Sequence, residues 1–187
     1  MGPDAYRVAG LGDTLQELGF AVEDHGNVAM GDVEPASSAN KGVFKLGETI
    51  AWTKSLFSAA KDAMAQGFPI FMGGDHSLSL GTVSGVAAYA KDQARPLYVL
   101  WLDAHSDYHS PLTTASGNLH GTPVGYVCGR DGFDGFPELV APVPPKRVCM
   151  IGLRSVDPAE RAELMRHDFN LHDMRAIDEN GIAPLLR

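Results

Sequence analysis

Short apolar runs alternating with helix-period segments predict an α/β protein: a parallel sheet with helices on both faces, in three layers. Two observations carry that expectation. Residues 68–72, 97–102 and 147–153 are apolar runs of strand length, and the middle one contains Val, Tyr and Trp. Before and between them, apolar residues recur at spacings of three and four, the period of a helix that buries one face. No internal repeat, low-complexity tract or charge run divides the 187 residues, so one domain over residues 1–187 is the simplest organisation.

The elements follow in chain order. Residues 3–19 place Val8, Leu11, Leu15 and Leu18 on one stripe, with Gly19 where a helix would stop. Residues 20–22 then read as a short strand, and residues 24–40 as a loop containing Gly, Pro, Ser and Asn. The next helix is better marked: Leu46, Ile50, Thr53, Phe57, Ala60 and Met64 recur at alternating intervals of 4 and 3, and Gly67 closes it. Residues 68–72 read as a buried strand ended by Gly73 and Gly74. Residues 77–90 read as a helix in spite of Gly81 and Gly85, because they lie between two strand candidates. Residues 97–102 are apolar throughout, which predicts a strand buried on both faces at the centre of the sheet. A polar loop over 105–118, a helix reaching Cys128 and a Gly- and Pro-rich loop over 131–146 come next. A strand over 147–153 and a short helix over 158–166 follow, and residues 182–187 read as the opening turn of another helix.

Composition narrows the function. Fifteen Lys and Arg against twenty-three Asp and Glu leave a net charge of −8, whose field repels phosphate backbones and anionic lipid headgroups. Nucleic-acid and membrane-surface roles are therefore not expected. At 44% hydrophobic and 20% charged residues, the chain has the composition of a globular protein and not a disordered one. Cys128 and Cys149 are too few for a disulfide framework and have no C-x-x-C partner, so a reducing cytoplasm is the expected setting. No run approaches the roughly 18 apolar residues of a membrane helix, and residues 1–10 lack the pattern of a signal peptide.

The chemistry concentrates where the strands end. His76, His105, His109 and His120 share one region with Asp75, Asp103 and Asp107. His76 follows Gly73-Gly74-Asp75, directly after a strand candidate, where a sharp turn would present it at the carboxyl end of the sheet. Asp103, His105 and Asp107, at i, i+2 and i+4, project to one side of an extended backbone. Carboxylates beside the low-dielectric core are costly unless a cation or backbone N–H groups compensate them. Imidazole and carboxylate ligands without thiolate suit manganese, iron, cobalt or zinc, and the carboxylate excess favours manganese. Cys128 and Cys149 read as small buried hydrophobes and not as ligands. Residues 110–121 are dense in hydroxyl and amide groups, which suits a polar small molecule or simply a solvated loop.

Three segments together resemble the ureohydrolase superfamily, and the arginases in particular. They are Gly73-Gly74-Asp75-His76-Ser77, Asp103-Ala104-His105-Ser106-Asp107 and Ser116-Gly117-Asn118-Leu119-His120-Gly121, in that order. The stretch Gly152-Leu153-Arg154-Ser155-Val156-Asp157-Pro158-Ala159-Glu160 is similar to arginases more than to agmatinases. The resemblance implies an arginase-like α/β sheet, two Mn2+ ions and hydrolysis of L-arginine to ornithine and urea. It implies that His76 and Asp107 ligate one ion, His105 the other, and that Asp103 bridges them. It further implies that Asp107 relays the proton of the nucleophile and that His120 shuttles protons to solvent. Ser116 and Asn118 would hold the carboxylate of a small guanidino substrate, with Asp157 near its α-amino group and homo-oligomers as the assembly.

Two substitutions distinguish this chain from the family pattern. His109 stands where arginases usually have an Asn that helps read the carboxylate, and Ser155 stands where they usually have an Asp. Other guanidino-acid hydrolases and a non-catalytic metal-binding module therefore stay open. No third metal segment of the form S-x-D-x-D-x-x-D-P is present in these residues. The chain is expected to be an internal portion of about three-fifths of a usual member, incomplete at both ends. It is therefore expected to associate or to be marginally stable.

Overall fold

The computed structural model describes residues 2–186. The first apolar stripe does not make a single helix. Gly10, in the left-handed region at φ 77°, divides it into α1 (Gly2–Val8) and α2 (Leu11–Glu17), and neither buries a residue. Arg7 ties this pair to the next loop through Asp24 Oδ2 at 2.7 Å and Asn27 Oδ1 at 2.7 Å. Residues 20–22, expected as a strand, join no ladder, and Phe20 is exposed. The Phe20 N–H instead closes the end of α2 by donating to the Leu15 carbonyl at 3.1 Å.

The best-marked helix forms as predicted. It is α3 (Leu46–Gln66), which buries Leu46, Ile50, Thr53 and Ala60 of the expected stripe. The next, α4 (Leu78–Asp92), explains its own glycines. A Cβ on Gly81 would lie 2.6 Å from Leu56 Cβ and 2.7 Å from the Thr53 carbonyl oxygen, and one on Gly85 would lie 2.4 Å from the Phe57 carbonyl oxygen. Glycine weakens the helix locally, but here it lets α3 and α4 approach backbone to backbone.

Residues 68–72, expected as a buried strand, also join no ladder, and Phe68 is 94% exposed. The sheet consists of β1 (Val99–Leu102), β2 (Val148–Leu153) and β3 (Asn170–Asp173), all parallel and in that spatial order. Between β1 and β2 lies the short helix α5 (Pro123–Val127), and α6 (Pro158–Arg166) connects β2 to β3. A final helix, α7 (Met174–Asn180), is followed by a 3-10 turn over Ala183–Leu186; Arg187, part of the expected last turn, lies outside the described residues. The run expected at the centre of the sheet instead forms its end. Trp101 is buried, but Leu100 and Leu102 are 53% and 68% exposed, because no described element covers that face or pairs with the second edge of β1.

Two apolar clusters support these elements. Ala87, Trp101, Val124, Val148, Met150, Leu153 and Leu164 pack α4, α5 and α6 against β1 and β2. Leu46, Ile50, Leu80, Leu119, Tyr126, Val127 and Phe136 join α3, α4 and α5 to the loops beside them. No helix among the described residues is long and apolar enough to cross a membrane.

Candidate metal centre

The residues at the carboxyl end of β1 do not continue as an extended strand, so alternation is not what makes them converge. Asp103 Oδ1 accepts the His105 N–H at 2.9 Å, which turns the chain at once. Four residues on, Asp107 lies in the left-handed region at φ 47°, and its residue is only 6% exposed. The turn before α4 brings in His76, whose Nδ1 lies 2.8 Å from Asp107 Oδ2 and 3.0 Å from Asp103 Oδ2. Trp101 stacks on the imidazole with ring centroids 4.4 Å apart and planes 18° from parallel.

His105 sits on the other side of Asp103, with Nδ1 3.3 Å from Oδ1. Asp103 thus offers one carboxylate oxygen to each imidazole. The ligand atoms of His76, Asp103 and Asp107 lie within 4.8 Å of one another; His105, which is exposed, falls outside that group. The short contact to the Asp107 carboxylate raises the His76 pKa, against the opposing effect of burial, with Asp103 and Asp75 adding to the rise. Asp107 Oδ2 is itself buried and receives no well-directed hydrogen bond. Two carboxylates and an imidazole converging on a buried, anionic oxygen suit a divalent cation that takes oxygen and nitrogen ligands.

A second cluster lies just past Tyr108. His109 Nε2 lies 2.7 Å from Asp157 Oδ2, its Nδ1 is 3.2 Å from Thr113 Oγ1, and Glu160 Oε2 is 3.9 Å from Nε2. Asp157 caps α6 by accepting the Glu160 N–H at 2.8 Å. That bond lowers the Asp157 pKa, with burial opposing it and His109 assisting. Glu160 is buried, and its Oε1 accepts the Tyr108 N–H at 2.8 Å. The two residues expected to touch substrate separately, His109 and Asp157, therefore meet each other.

The hydroxyl-rich loop is folded onto residues 40–44. Asn40 Nδ2 donates to the carbonyls of Pro111 and Thr114, and the Phe44 N–H donates to the Gly117 carbonyl at 3.0 Å. Gly117 has φ 75°, and a Cβ there would stand 1.8 Å from the Gly42 carbonyl oxygen. Ser116 Oγ accepts the Asn118 N–H at 3.3 Å, so these two shape a turn and bond to neither cluster. At its end His120 is exposed, with Nδ1 3.4 Å from Asp75 Oδ2 beside the metal centre. Cys128, set aside as a ligand, is packed against the core, and burial pushes its thiol up to about 12.

The family model for the arginase family matches residues 1–187, the whole chain. The chain belongs to the arginase family. It is 50% identical over 188 residues to an arginase of Brucella melitensis biotype 1, covering 100% of this chain and 61% of that protein. It is 51% identical over 185 residues to an arginase of Agrobacterium fabrum, covering 98% and 57%. Among solved structures, an arginase of Bacillus subtilis aligns with a TM-score of 0.85 at 29% identity, covering 100% of this chain and 61% of that one. The chain thus spans about three-fifths of the length of the relatives it matches.

Within this arginase-family chain, sequence reasoning gave no role to Glu160, Asn40 or Trp101. Glu160 had one legible signal, its place three residues after the capping Asp157, but that pattern announces a helix start and not a hydrogen bond to Tyr108. Asn40 was legible only as a loop residue. Its two bonds to the loop 71 and 74 residues later depend on tertiary contact. Trp101 was assigned to the core, which is correct, while its stacking on His76 follows from how α4 starts.

Proposed function

We propose that this chain carries part of the active site of a manganese-dependent arginase, which hydrolyses the guanidinium group of L-arginine to give ornithine and urea. The observation that supports this reading best is the convergence of three ligand groups on one point: His76 Nδ1 lies 2.8 Å from the buried Asp107 Oδ2 and 3.0 Å from Asp103 Oδ2. His76 and Asp107 would hold one Mn2+ and His105 the other, with Asp103 between them. When bound, such ions lower the pKa of water in the site and offset the charge that develops at the guanidinium carbon.

The protein's own groups do the rest. Asp107 accepts the proton released by the nucleophile and delivers it to the departing amine nitrogen. His120, with Nδ1 beside Asp75, is left to exchange protons with solvent through Nε2. Ser116 and Asn118 take the substrate carboxylate, with His109 at the position that helps read it and Asp157 near the α-amino group. We place the protein in a reducing cytoplasm, as a homo-oligomer acting on a small guanidino acid.

One observation favours a second substrate. His109 Nε2 engages Asp157 Oδ2 at 2.7 Å, and Ser155 supplies no carboxylate, so an α-ammonium group meets less free negative charge here. A guanidino acid without an α-amine, such as 4-guanidinobutyrate, would suffer less from that arrangement.

The test is urea release by the intact gene product with Mn2+ present, from L-arginine, agmatine and 4-guanidinobutyrate in parallel. L-Arginine is expected to be turned over best; preference for 4-guanidinobutyrate would establish the second reading. No release from any of the three, with a metal bound, would leave a metal-binding protein without this activity. Elemental analysis of the same preparation distinguishes manganese from zinc. The 187-residue chain alone is expected to release little urea, since four ligand residues are few for two ions.

A further inference from the structure

We infer that Glu160 is a positioning residue of the metal centre, holding the Asp107–Tyr108 peptide so that the Asp107 carboxylate faces His76. This rests on the metal-centre reading above and adds to it a residue from a separate element.

Asp107 occupies φ 47°, a conformation that costs an L-residue about 1 kcal/mol or more and persists only when its surroundings enforce it. Its surroundings do enforce it. The Gly125 N–H donates to the Asp107 carbonyl at 3.1 Å, and the His109 N–H donates to the Gly121 carbonyl at 3.2 Å. The Arg130 guanidinium donates to the Tyr108 carbonyl. The Tyr108 N–H, at the centre of this turn, donates to Glu160 Oε1 at 2.8 Å. Four main-chain groups around the turn are thus held, and Asp107 Oδ2 faces His76 Nδ1 at 2.8 Å.

Glu160 is not explained by its own helix. Asp157 already caps α6 by taking the Glu160 N–H, and the Glu160 side chain turns inward to Tyr108 instead of closing a capping box. A carboxylate at 5% exposure is costly unless it is paired. Its partners are the amide directly after a metal-centre ligand and, at 3.9 Å, His109. A charged acceptor also makes a stronger bond to that amide than a neutral one would.

The experiment is a Mn2+ titration of the intact gene product, unmodified and with Glu160→Leu, Glu160→Asp or Glu160→Gln, together with hydrogen exchange at the Tyr108 amide. Glu160→Leu removes the acceptor, and Glu160→Asp keeps the charge but shortens the reach. Both are expected to weaken Mn2+ binding about 10-fold or more, as losses of outer hydrogen-bond partners do, and to speed Tyr108 exchange. Glu160→Gln keeps an oxygen that can accept the same N–H, and is expected to stay within roughly threefold of the unmodified chain in affinity and to retain slow exchange. That rescue is a readout which loss of packing alone would not produce. Equal Mn2+ affinity across all four proteins, or Glu160→Gln as weak as Glu160→Leu, overturns the positioning role alone. An unmodified gene product that binds no Mn2+ overturns the metal-centre reading, and this inference with it.

Discussion

Two clusters, each of one imidazole and two carboxylates, flank Tyr108, and they differ in how their oxygens are satisfied. In the cluster of His109, Asp157 and Glu160, Asp157 Oδ1 takes the Glu160 N–H, Asp157 Oδ2 meets His109 Nε2, and Glu160 Oε1 takes the Tyr108 N–H. In the cluster of His76, Asp103 and Asp107, the buried Asp107 Oδ2 has no well-directed donor. An imidazole and two carboxylates therefore build a joint tied into the main chain in one place, and in the other a cluster whose buried oxygen faces only an imidazole. Composition alone does not separate the two clusters; how each buried oxygen is met does.

The strongest way to break this comparison is to remove one imidazole or carboxylate from each side. Asp107→Asn preserves the side-chain shape and tolerates the left-handed backbone, but removes the charge. It is expected to reduce Mn2+ affinity by at least about 100-fold and to bring urea release by the intact gene product to background. His109→Asn, by contrast, is expected to leave Mn2+ affinity within roughly threefold and to change the KM for the guanidino substrate. Calorimetric Mn2+ titration reads both. Equal losses would mean that the two clusters act as one site.

A smaller effect separates the substrate loop from both clusters. Gly117→Ala places a Cβ 1.8 Å from the Gly42 carbonyl oxygen at φ 75°, so the loop must shift from residues 40–44. A loss of about 2 kcal/mol in unfolding free energy is expected, from strain and overpacking together. Because Ser116 and Asn118 bond to neither cluster, Mn2+ affinity of the folded variant should be unchanged. Chemical denaturation with and without Mn2+ checks both halves of this expectation.

What the sequence made legible follows the same division. The helix over residues 46–64 could be read because its stripe is local, and β2 because Val148, Met150, Ile151 and Leu153 are buried as an apolar run. The strand β3 was missed because Asn170-Leu171-His172-Asp173 has neither an apolar run nor an alternating one; pairing with β2 makes it a strand. Residues 68–72 and 97–102 were read as fully buried strands from their composition. Phe68, Leu100 and Leu102 are exposed because burial depends on neighbours as well as on side-chain type. At the site, His76, Asp103 and Asp107 were legible as ligand types at the ends of apolar runs. The turn that unites them was not, because it requires Asp107 at positive φ and a carboxylate from α6, neither of which leaves a periodic trace.

The mildest test concerns Asp157, which belongs to the cluster tied into the main chain and caps α6. Asp157→Ala should cost about 1 kcal/mol at neutral pH, the usual penalty for losing a side-chain cap, while Asp157→Asn keeps a capping oxygen and should cost less. The pH dependence has a definite sign. Folding lowers the Asp157 pKa from its ordinary value through the Glu160 N–H first and His109 after it, so the ionised form is favoured in the native state. Its contribution is complete above the unfolded carboxylate value of about 3.9, and is lost as pH falls through the lower folded value. The stability gap between the unmodified chain and Asp157→Asn should therefore hold steady from neutral pH down to about 4 and close below it. Mn2+ affinity at neutral pH should not follow these changes, because Asp157 is occupied by α6 and His109. A gap that stays open in acid would show that Asp157 does not act through its carboxylate charge, and Mn2+ binding that falls with the cap would show that Asp157, and not only Glu160, is coupled to the first cluster.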